Sequence, residues 1–297
     1  MYSNANCTTP VKDKDQEAIT AQSDNNGIVK FENLTPGTYY VKEVSAPEDF
    51  ALDNTVYKAE VVAQSTPVGI TTINGTSVPS VVNHEQVTIS GEKHWVDGNG
   101  DERPSEITVQ LSNNKNDESE TQVVTADSNG KWKYSFMVPK YDGNAEINYT
   151  VKEMNGNTAI DDNGYITDAN DNKLYQVTYN NNSITNTKLT NVSGSKIWQN
   201  SDLENSWPEG ATVTVGLYTR VNGIDTAVKE NNVEKTVTLS AENTGFTFAN
   251  LPQYDANGEI TYVVKEKSVK IGDNTSDTVT GNTITIGNDT YTVSGGT

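Results

Sequence analysis

The chain has 297 residues, a formal net charge of −19 and one cysteine, Cys7. Such an acidic chain repels nucleic acids and anionic membranes, and it has no basic stripe of the kind that nucleic-acid binding needs. A single cysteine excludes an internal disulfide framework, and no apolar run is long enough to span a membrane. Asn-Gly and Asp-Gly dipeptides separate short alternating runs, which favours an all-β protein built from sandwiches.

The predicted strands fall into three groups in chain order. A first domain, residues 1–85, contains Gly27–Phe31, Thr38–Val44, Val56–Val62 and Val78–Val82. A second domain, residues 86–188, contains Val87–Trp95, Ile107–Leu111, Trp132–Val138, Ile147–Glu153, Tyr175–Tyr179 and Ser183–Thr187. A third domain, residues 189–297, repeats the second, with Val192–Trp198, Ala211–Leu217 and Phe246–Asp255. The linkers are very short, which predicts a stiff rod.

A five-residue phrase, Tyr-x-Val-Lys-Glu, occurs three times and supports the division into three domains. It covers residues 39–43, 149–153 and 262–266. Alternate side chains of a strand share a face, so Glu43, Glu153 and Glu266 should lie on the same apolar side as their Tyr and Val neighbours. A carboxyl group in the core without a partner is costly, so each domain must have a use for it.

The same alternation predicts further buried polar groups. Lys93 shares a face with Trp95, and Lys196 is placed in the same way in the third domain. Asn186 shares a face with Ile184, and Asn83 shares a face with Val81. The second domain therefore has an inward lysine, glutamate and asparagine on three different strands.

Together these three groups can react. A buried lysine loses its proton more readily and a buried acid keeps its proton, so Lys93 becomes a nucleophile that can attack the side-chain carbonyl of Asn186. Protonated Glu153 can polarise that carbonyl and shuttle protons while ammonia leaves. The product is an amide between two side chains. The alternative is a buried ion pair beside a hydrogen-bonded amide.

These residues resemble the B-repeat domains of Gram-positive surface adhesins, the collagen-adhesin B-type family. The resemblance rests on Gly91–Trp95, Arg103-Pro104, Pro139–Asp142, the repeated phrase and Ile184–Thr187. The first domain resembles the related pilin-type variant through Phe31–Tyr40 and Glu43–Pro47. The family implies immunoglobulin-like or prealbumin-like sandwiches, a wall-anchored stalk and self-formed Lys–Asn isopeptide bonds.

Both ends depart from the family pattern. The first domain begins inside what should be its second strand, and Lys12 and Lys14 do not fit the reactive-lysine motif. The third domain stops before the strand that should carry its asparagine. We therefore expect a fragment of a longer protein, with a hydrogen-bonded Glu43–Asn83 pair and a Lys196–Glu266 salt bridge. Alternatively, the open ends accept a strand from another chain.

No cofactor is expected. The run 97–101 is similar to the start of a calcium loop, but Glu102 stands where a glycine is expected, so a turn is the better interpretation. The acidic loops at 161–163 and 168–171 could hold a cation weakly, although solvated turns explain them. His84 and His94 stand alone, and there is no zinc signature.

The resemblance implies a structural, monomeric stalk segment of a secreted, wall-anchored protein, not an enzyme. Its expected partners are neighbouring repeats of the same polypeptide, with any host matrix contacted through another region. Two alternatives are a module that itself binds matrix or glycan, and accessory domains of a secreted enzyme.

Overall fold

The structure is a computed structural model that describes residues 1–63, 82–100, 102–115, 118–199, 206–276, 283–286 and 288–294. All regular elements in these ranges are β-strands, which confirms the all-β prediction. Within the same ranges, no helix has the length and apolarity to cross a membrane. The chain forms two compact units, one of Met1–Ile89, Asn113–Glu118 and Ser135–Tyr149, and one of Ser90–Ser112, Ser119–Tyr134 and Thr150–Thr297.

The predicted first domain contains a two-stranded antiparallel sheet. Its strands are β1 (Gly37–Val41) and β2 (Tyr57–Val61), with Tyr39 opposite Ala59. The start of the chain extends this sheet, because the backbone of Tyr2 exchanges two hydrogen bonds with Tyr40, of 2.7 and 2.8 Å. The predicted strand Val78–Val82 lies outside the described residues except for Val82, which is not in a strand.

The prediction of a strand at Gly27–Phe31 is wrong. Residues 27–31 form no ladder, and Gly27 to Lys30 are exposed. The reason is a local turn: Asp24 Oδ1 accepts hydrogen bonds from the backbone N–H groups of Asn26 and Ile28, both at 2.9 Å. A side chain that captures backbone donors competes with strand pairing.

This turn occurs four times among the residues that the structure describes. In each copy an aspartate oxygen accepts the N–H groups two and four residues ahead, and the residue three ahead has a positive φ. The aspartates are Asp13, Asp24, Asp127 and Asp168. Asp168 belongs to one of the acidic loops considered above as a cation site, and its Oδ1 is occupied by the turn itself.

Eleven strands cover the predicted second domain and its exit. They are β3 (Gln86–Val96), β4 (Ile107–Asn113), β5 (Ser119–Val124), β6 (Trp132–Pro139), β7 (Tyr141–Asp142), β8 (Ala145–Glu146), β9 (Tyr149–Asn155), β10 (Thr158–Ala159), β11 (Tyr165–Thr167), β12 (Lys173–Asn180) and β13 (Ser183–Ser195). One sheet has the order β10-β9-β4-β5, and the other has the order β11-β12-β13-β3-β6. β7 and β8 form a separate hairpin.

Strict alternation builds the core between these sheets. In β6 every second residue is buried, at Trp132, Tyr134, Phe136 and Val138, and the residues between them are exposed. In β4 the buried residues are Ile107, Val109 and Leu111. Period-two burial on facing strands is typical of a sandwich.

The first and last strands of this domain lie side by side. β3 and β13 are parallel neighbours, with Ile184 opposite Lys93 and Asn186 opposite Trp95. β13 continues without a break from Ser183 to Ser195, where the sequence indicated two strands separated by a short linker. The second half of β13 pairs with β19 (Gly245–Pro252).

The remaining strands cover the predicted third domain. They are β14 (Ala211–Val221), β15 (Ile224–Ala227), β16 (Lys229–Glu230), β17 (Val233–Glu234), β18 (Thr236–Ser240), β19 (Gly245–Pro252), β20 (Tyr254–Asp255), β21 (Gly258–Glu259), β22 (Tyr262–Ile271), β23 (Asn274–Ser276), β24 (Thr283–Ile286) and β25 (Asp289–Thr292). The central sheet has the order β15-β14-β22-β23, and β18 also pairs with β14. Its core includes Val213, Leu217, Leu239 and Val269, each at most 1% exposed.

A glycine on β3 is required by its neighbours. A Cβ atom at position 91 would collide with the carbonyl oxygen of Asn182 and the phenol of Tyr134, which are hydrogen-bonded to each other. We expect Gly91→Ala to lower the free energy of unfolding by about 2 kcal/mol, because neither group can move without breaking that bond. Gly245→Ala is the control, since its Cβ would meet nothing closer than 3.8 Å. Equal unfolding transitions for the two variants in calorimetry would contradict this expectation.

Candidate functional site

Three polar side chains lie in the core of the predicted second domain. Lys93 on β3, Glu153 on β9 and Asn186 on β13 are each at most 2% exposed. Their neighbours at two-residue spacing, Val151 and Ile184, are buried on the same faces. Strand alternation therefore explains why three polar groups point into one apolar core.

Glu153 lies between the other two groups. Asn186 Nδ2 donates a 3.0 Å hydrogen bond to Glu153 Oε1, and Lys93 Nζ lies 3.8 Å from Glu153 Oε2. Lys93 Nζ also donates a 3.0 Å hydrogen bond to the backbone carbonyl of His94. One carboxyl group thus faces the amine with one oxygen and the carboxamide nitrogen with the other.

Burial shifts the protonation of the amine and the acid in opposite directions. Desolvation lowers the pKa of Lys93 to about 7, although the negative charge of Glu153 opposes this shift. Desolvation also raises the pKa of Glu153, against the opposing effects of Lys93 and Asn186. Loss of water disfavours the charged form of each group. The site therefore favours a neutral amine next to a protonated acid.

Two atoms of the site have no hydrogen-bond partner among the described residues. They are Glu153 Oε2 and Asn186 Oδ1. The 3.8 Å between Lys93 Nζ and Glu153 Oε2 is too long for a hydrogen bond. Unsatisfied polar atoms are rare in a folded core and call for an explanation.

Aromatic rings surround the lysine. Lys93 Nζ lies 3.9 Å from the ring centroid of Trp95. Trp95 packs edge-on against Trp132, with the centroids 5.5 Å apart, and against Tyr175, at 5.3 Å. These rings exclude water from the amine and account for its desolvation.

A charged pair next to the site was missed at the level of sequence. The carboxylate of Asp97 accepts two hydrogen bonds from Arg103, from Nε at 2.7 Å and from Nη2 at 2.5 Å, and the Asp97 side chain is 1% exposed. The sequence offered only two hints, the acidic turn after β3 and the Arg103-Pro104 dipeptide. Arg103 occupies both carboxylate oxygens, so Asp97 has a structural partner.

The predicted third domain contains counterparts of Lys93 and Glu153, which are Lys196 and Glu266. Lys196 Nζ lies 2.7 Å from Glu266 Oε1, and the two side chains are 18% and 11% exposed. This pair is closer and more accessible than Lys93 and Glu153, whose side chains alone are 0% and 3% exposed. Trp198 lies beside it, with Lys196 Nζ 5.3 Å from the ring centroid.

The predicted first domain contains the glutamate and the asparagine. Asn83 Nδ2 lies 2.9 Å from both carboxylate oxygens of Glu43, and it also donates to the carbonyl of Ala51 at 3.0 Å. The backbone N–H of Asp53 donates to Glu43 Oε2 at 2.6 Å. Both carboxylate oxygens of Glu43 therefore accept hydrogen bonds, as expected for a hydrogen-bonded Glu43–Asn83 pair.

The other candidates show ordinary surface roles. His94 is exposed on β3, opposite in direction to Lys93. Asp161 forms an ion pair with Lys152. Within the described ranges, no group of three or more His, Cys, Asp or Glu side chains is arranged to hold a metal ion.

The sequence was compared with families of known proteins. A family model of the Cna protein B-type domain matches residues 89–187 and 192–289, well over half of the chain. The chain belongs to the Cna B-type domain family. A second family model, the SpaA prealbumin-like fold domain, matches residues 5–76. The resemblance noted in the sequence is thereby confirmed.

Individual relatives agree with the family. A collagen adhesin of Staphylococcus aureus is 28% identical over 219 residues, which cover 72% of this chain and 17% of that protein. This chain thus spans less than a fifth of that relative. A solved single B repeat of the collagen-binding surface protein of Staphylococcus aureus is 28% identical and covers 64% of this chain and 89% of its own, with a TM-score of 0.27.

A more distant structure covers more of the chain. The major pilin subunit of Bacillus cereus is 16% identical and covers 96% of this chain and 90% of its own, with a TM-score of 0.28. Because both TM-scores are low, family membership rests on the family models. The first B-type match contains Lys93, Glu153 and Asn186, and the second contains Lys196 and Glu266.

Proposed function

We propose that this chain is a structural stalk segment of a bacterial cell-surface adhesin, stiffened by an amide bond that forms spontaneously between Lys93 and Asn186. The observation that carries the proposal is the position of Glu153, which faces the amine and the carboxamide at once in a site closed to water. The chemistry is a single intramolecular event, so the chain turns over no substrate and is not an enzyme.

The reaction is a transamidation. Neutral Lys93 attacks Cγ of Asn186, the Nζ–Cγ bond forms, the Cγ–Nδ2 bond breaks, and Nδ2 leaves as ammonia. No electrons are gained or lost. The amine surrenders one proton, and the leaving nitrogen takes one up. The net change is the loss of one ammonia from the chain.

Glu153 moves that proton. Its Oε2 faces the attacking amine, and its Oε1 contacts the nitrogen that leaves. An acid placed between donor and acceptor can take a proton at one oxygen and give one at the other, which is general acid–base catalysis within one carboxyl group. The bond also turns an amine that can be protonated into a neutral amide and leaves Glu153 as an uncharged acid, so the product cannot form a buried ion pair.

The bond has a mechanical role because of where it forms. Lys93 lies on β3 and Asn186 on β13, the first and last strands of the domain, and these strands are parallel neighbours. A covalent link between them transmits a pulling force directly from β3 to β13. Without the link, only the hydrogen bonds between strands would resist that force. This suits a stalk that holds an adhesive tip away from a cell wall.

The setting of the chain follows from the stalk role. We infer a secreted, wall-anchored surface protein that acts as a monomer. Its immediate partners are neighbouring repeats of the same polypeptide, and contact with host extracellular matrix belongs to another region. The first and third domains are proposed to hold incomplete sites, Glu43 with Asn83 and Lys196 with Glu266.

Intact mass spectrometry tests the proposal. Wild-type chain is expected to be lighter than its sequence by one ammonia, and Asn186→Ala is expected to have the full mass of its sequence. Asn83→Ala is the matched control, because it removes the half-buried asparagine that pairs with Glu43, and this variant should still lose ammonia. A wild-type mass equal to the sequence mass after full maturation would refute the crosslink.

A further inference from the structure

The Asp97–Arg103 pair lies next to the reactive lysine, yet the proposed reaction does not use it. Asp97 follows β3, four residues after Lys93, and its carboxylate is buried. The ring of Trp95 contacts both cations, with Lys93 Nζ at 3.9 Å and Arg103 Cζ at 5.6 Å from its centroid. The two cations and the buried anion therefore belong to one cluster.

The loop after β3 is shaped to bring Arg103 back to Asp97. Gly98 and Gly100 have φ angles of +71° and +77°, which other residues adopt only with strain. The Arg103 side chain packs directly on Gly100, where a Cβ atom would lie 2.7 Å from the guanidinium, and Arg103 N donates to the Gly100 carbonyl at 3.1 Å. Gly100 thus leaves the space that the Arg103 side chain occupies beside Asp97.

The pair matters to Lys93 because of charge. A buried carboxylate without a partner would hold the amine in its protonated form, which cannot attack a carbonyl. In agreement with this, the Asp97 charge raises the pKa of Lys93, whereas the Arg103 charge lowers it. The guanidinium cancels the anion at short range and leaves desolvation as the dominant influence.

The other groups near the site do not replace this effect. Among the described residues, the other charged group that acts on Lys93 is Glu153 on β9, and Asn186 on β13 is uncharged. Three phenols also face the site or the pair, and burial raises the pKa of each so that it stays neutral; they are Tyr134, Tyr175 and Tyr179.

The third domain has an uncharged residue in the place of Arg103, which shows that covering the tryptophan does not require a positive charge. Its Lys196-Ile197-Trp198 matches Lys93-His94-Trp95, and its Trp207-Pro208 stands where the second domain has Arg103-Pro104. The Trp207 ring lies 5.8 Å from that of Trp198, so an uncharged residue covers the tryptophan there. The sequence also has Asn200 four residues after Lys196, where Asp97 stands in the second domain.

We propose that Arg103 is a positioning residue of the Lys93 site: by pairing with Asp97 it cancels a buried negative charge and so keeps the amine neutral for attack on Asn186. This inference rests on the proposed crosslinking reaction. It predicts that removing the guanidinium alone harms the reaction, and that removing both charges together restores it.

The experiment follows ammonia loss by intact mass in full-length chains made in a short cell-free pulse, transferred to buffers of increasing pH and quenched in denaturant. In Arg103→Met the uncompensated Asp97 anion favours the protonated amine, so a higher pH is needed to release it. We expect the reaction at neutral pH to slow by about tenfold, the equivalent of one pKa unit, and the pH profile to move to higher pH. The double variant Asp97→Asn with Arg103→Met should regain most of the rate and the original profile.

The outcomes separate the two proposals. If wild type loses ammonia and Arg103→Met does so at the same rate and with the same profile, the role of Arg103 is refuted and the crosslink stands. If the double variant is as slow as Arg103→Met, with no shift of the profile, Arg103 acts only through folding and the inference fails. Arg103→Lys, which keeps the charge, should keep the wild-type profile. A wild type that never loses ammonia refutes the crosslinking reaction itself.

Discussion

We expect the Glu153→Gln variant to fold but not to release ammonia, because the crosslink does not form. Glutamine has the shape of the acid and can still accept the hydrogen bond from Asn186, but it cannot take a proton from Lys93 and pass one to the leaving nitrogen. Loss of a positioned acid–base group slows a reaction by about 10²- to 10⁴-fold. Intact mass followed over days should therefore show the full sequence mass in the variant and the mass lower by one ammonia in wild type.

The repeated phrase supplies the matched control for this variant. Glu266→Gln makes the same change at the same position of the third domain, where the glutamate pairs with Lys196. Ammonia loss in this control should equal that of wild type. If Glu153→Gln loses ammonia as fast as the control, Glu153 is not the proton carrier.

A chain without any polar group in the site should be less stable than wild type. The variant combines Lys93→Met, Glu153→Leu and Asn186→Leu, so no charge and no amide of the site remains buried. A crosslink that closes a loop of roughly 100 residues stabilises by about 4–5 kcal/mol in the chain-entropy model, because it restricts the unfolded chain. The triple variant should lose about this much free energy of unfolding, measured as the shift of its calorimetric transition.

The sign of this change distinguishes the crosslink from a plain ion pair. Replacing a buried ion pair by apolar residues of similar size is neutral or stabilises by about 1–4 kcal/mol. In a joined wild type the amine has become an amide and Glu153 remains as an uncharged acid, so the replacement removes the crosslink and one neutral carboxyl group but no ion pair. Unfolding of the triple variant at or above the wild-type temperature would therefore favour the ion pair and contradict the proposal.

The sequence was informative wherever alternation alone decides the outcome. The burial of Lys93, Glu153 and Asn186 follows from their spacing to apolar neighbours on the same strands, and the structure agrees. Strands β4 and β6 were located for the same reason, since the side chains of each point alternately into the core and away from it.

The sequence was less informative where a loop conformation or a side-chain hydrogen bond determines the local structure. The run 27–31 alternates like a strand, but Asp24 captures the N–H of Ile28 and the segment finds no partner strand. The run 97–101 was interpreted as a turn, but the burial of Asp97 and its pairing with Arg103 were not predicted, because they depend on the backbone of this turn, where Gly98 and Gly100 have positive φ angles. Such contacts depend on backbone geometry that residue type alone does not specify.

Tryptic peptide mapping of mature, undamaged chain tests the central claim most directly. Trypsin does not cut at a lysine in amide linkage or before proline, so a joined domain should yield the peptide 59–115 attached through Lys93 to the peptide 174–188 that carries Asn186. Fragmentation should place the branch at these two residues, with one ammonia missing. Recovery of the separate peptides 59–93, 94–115 and 174–188, each at its full sequence mass, would show that Lys93 and Asn186 are not joined.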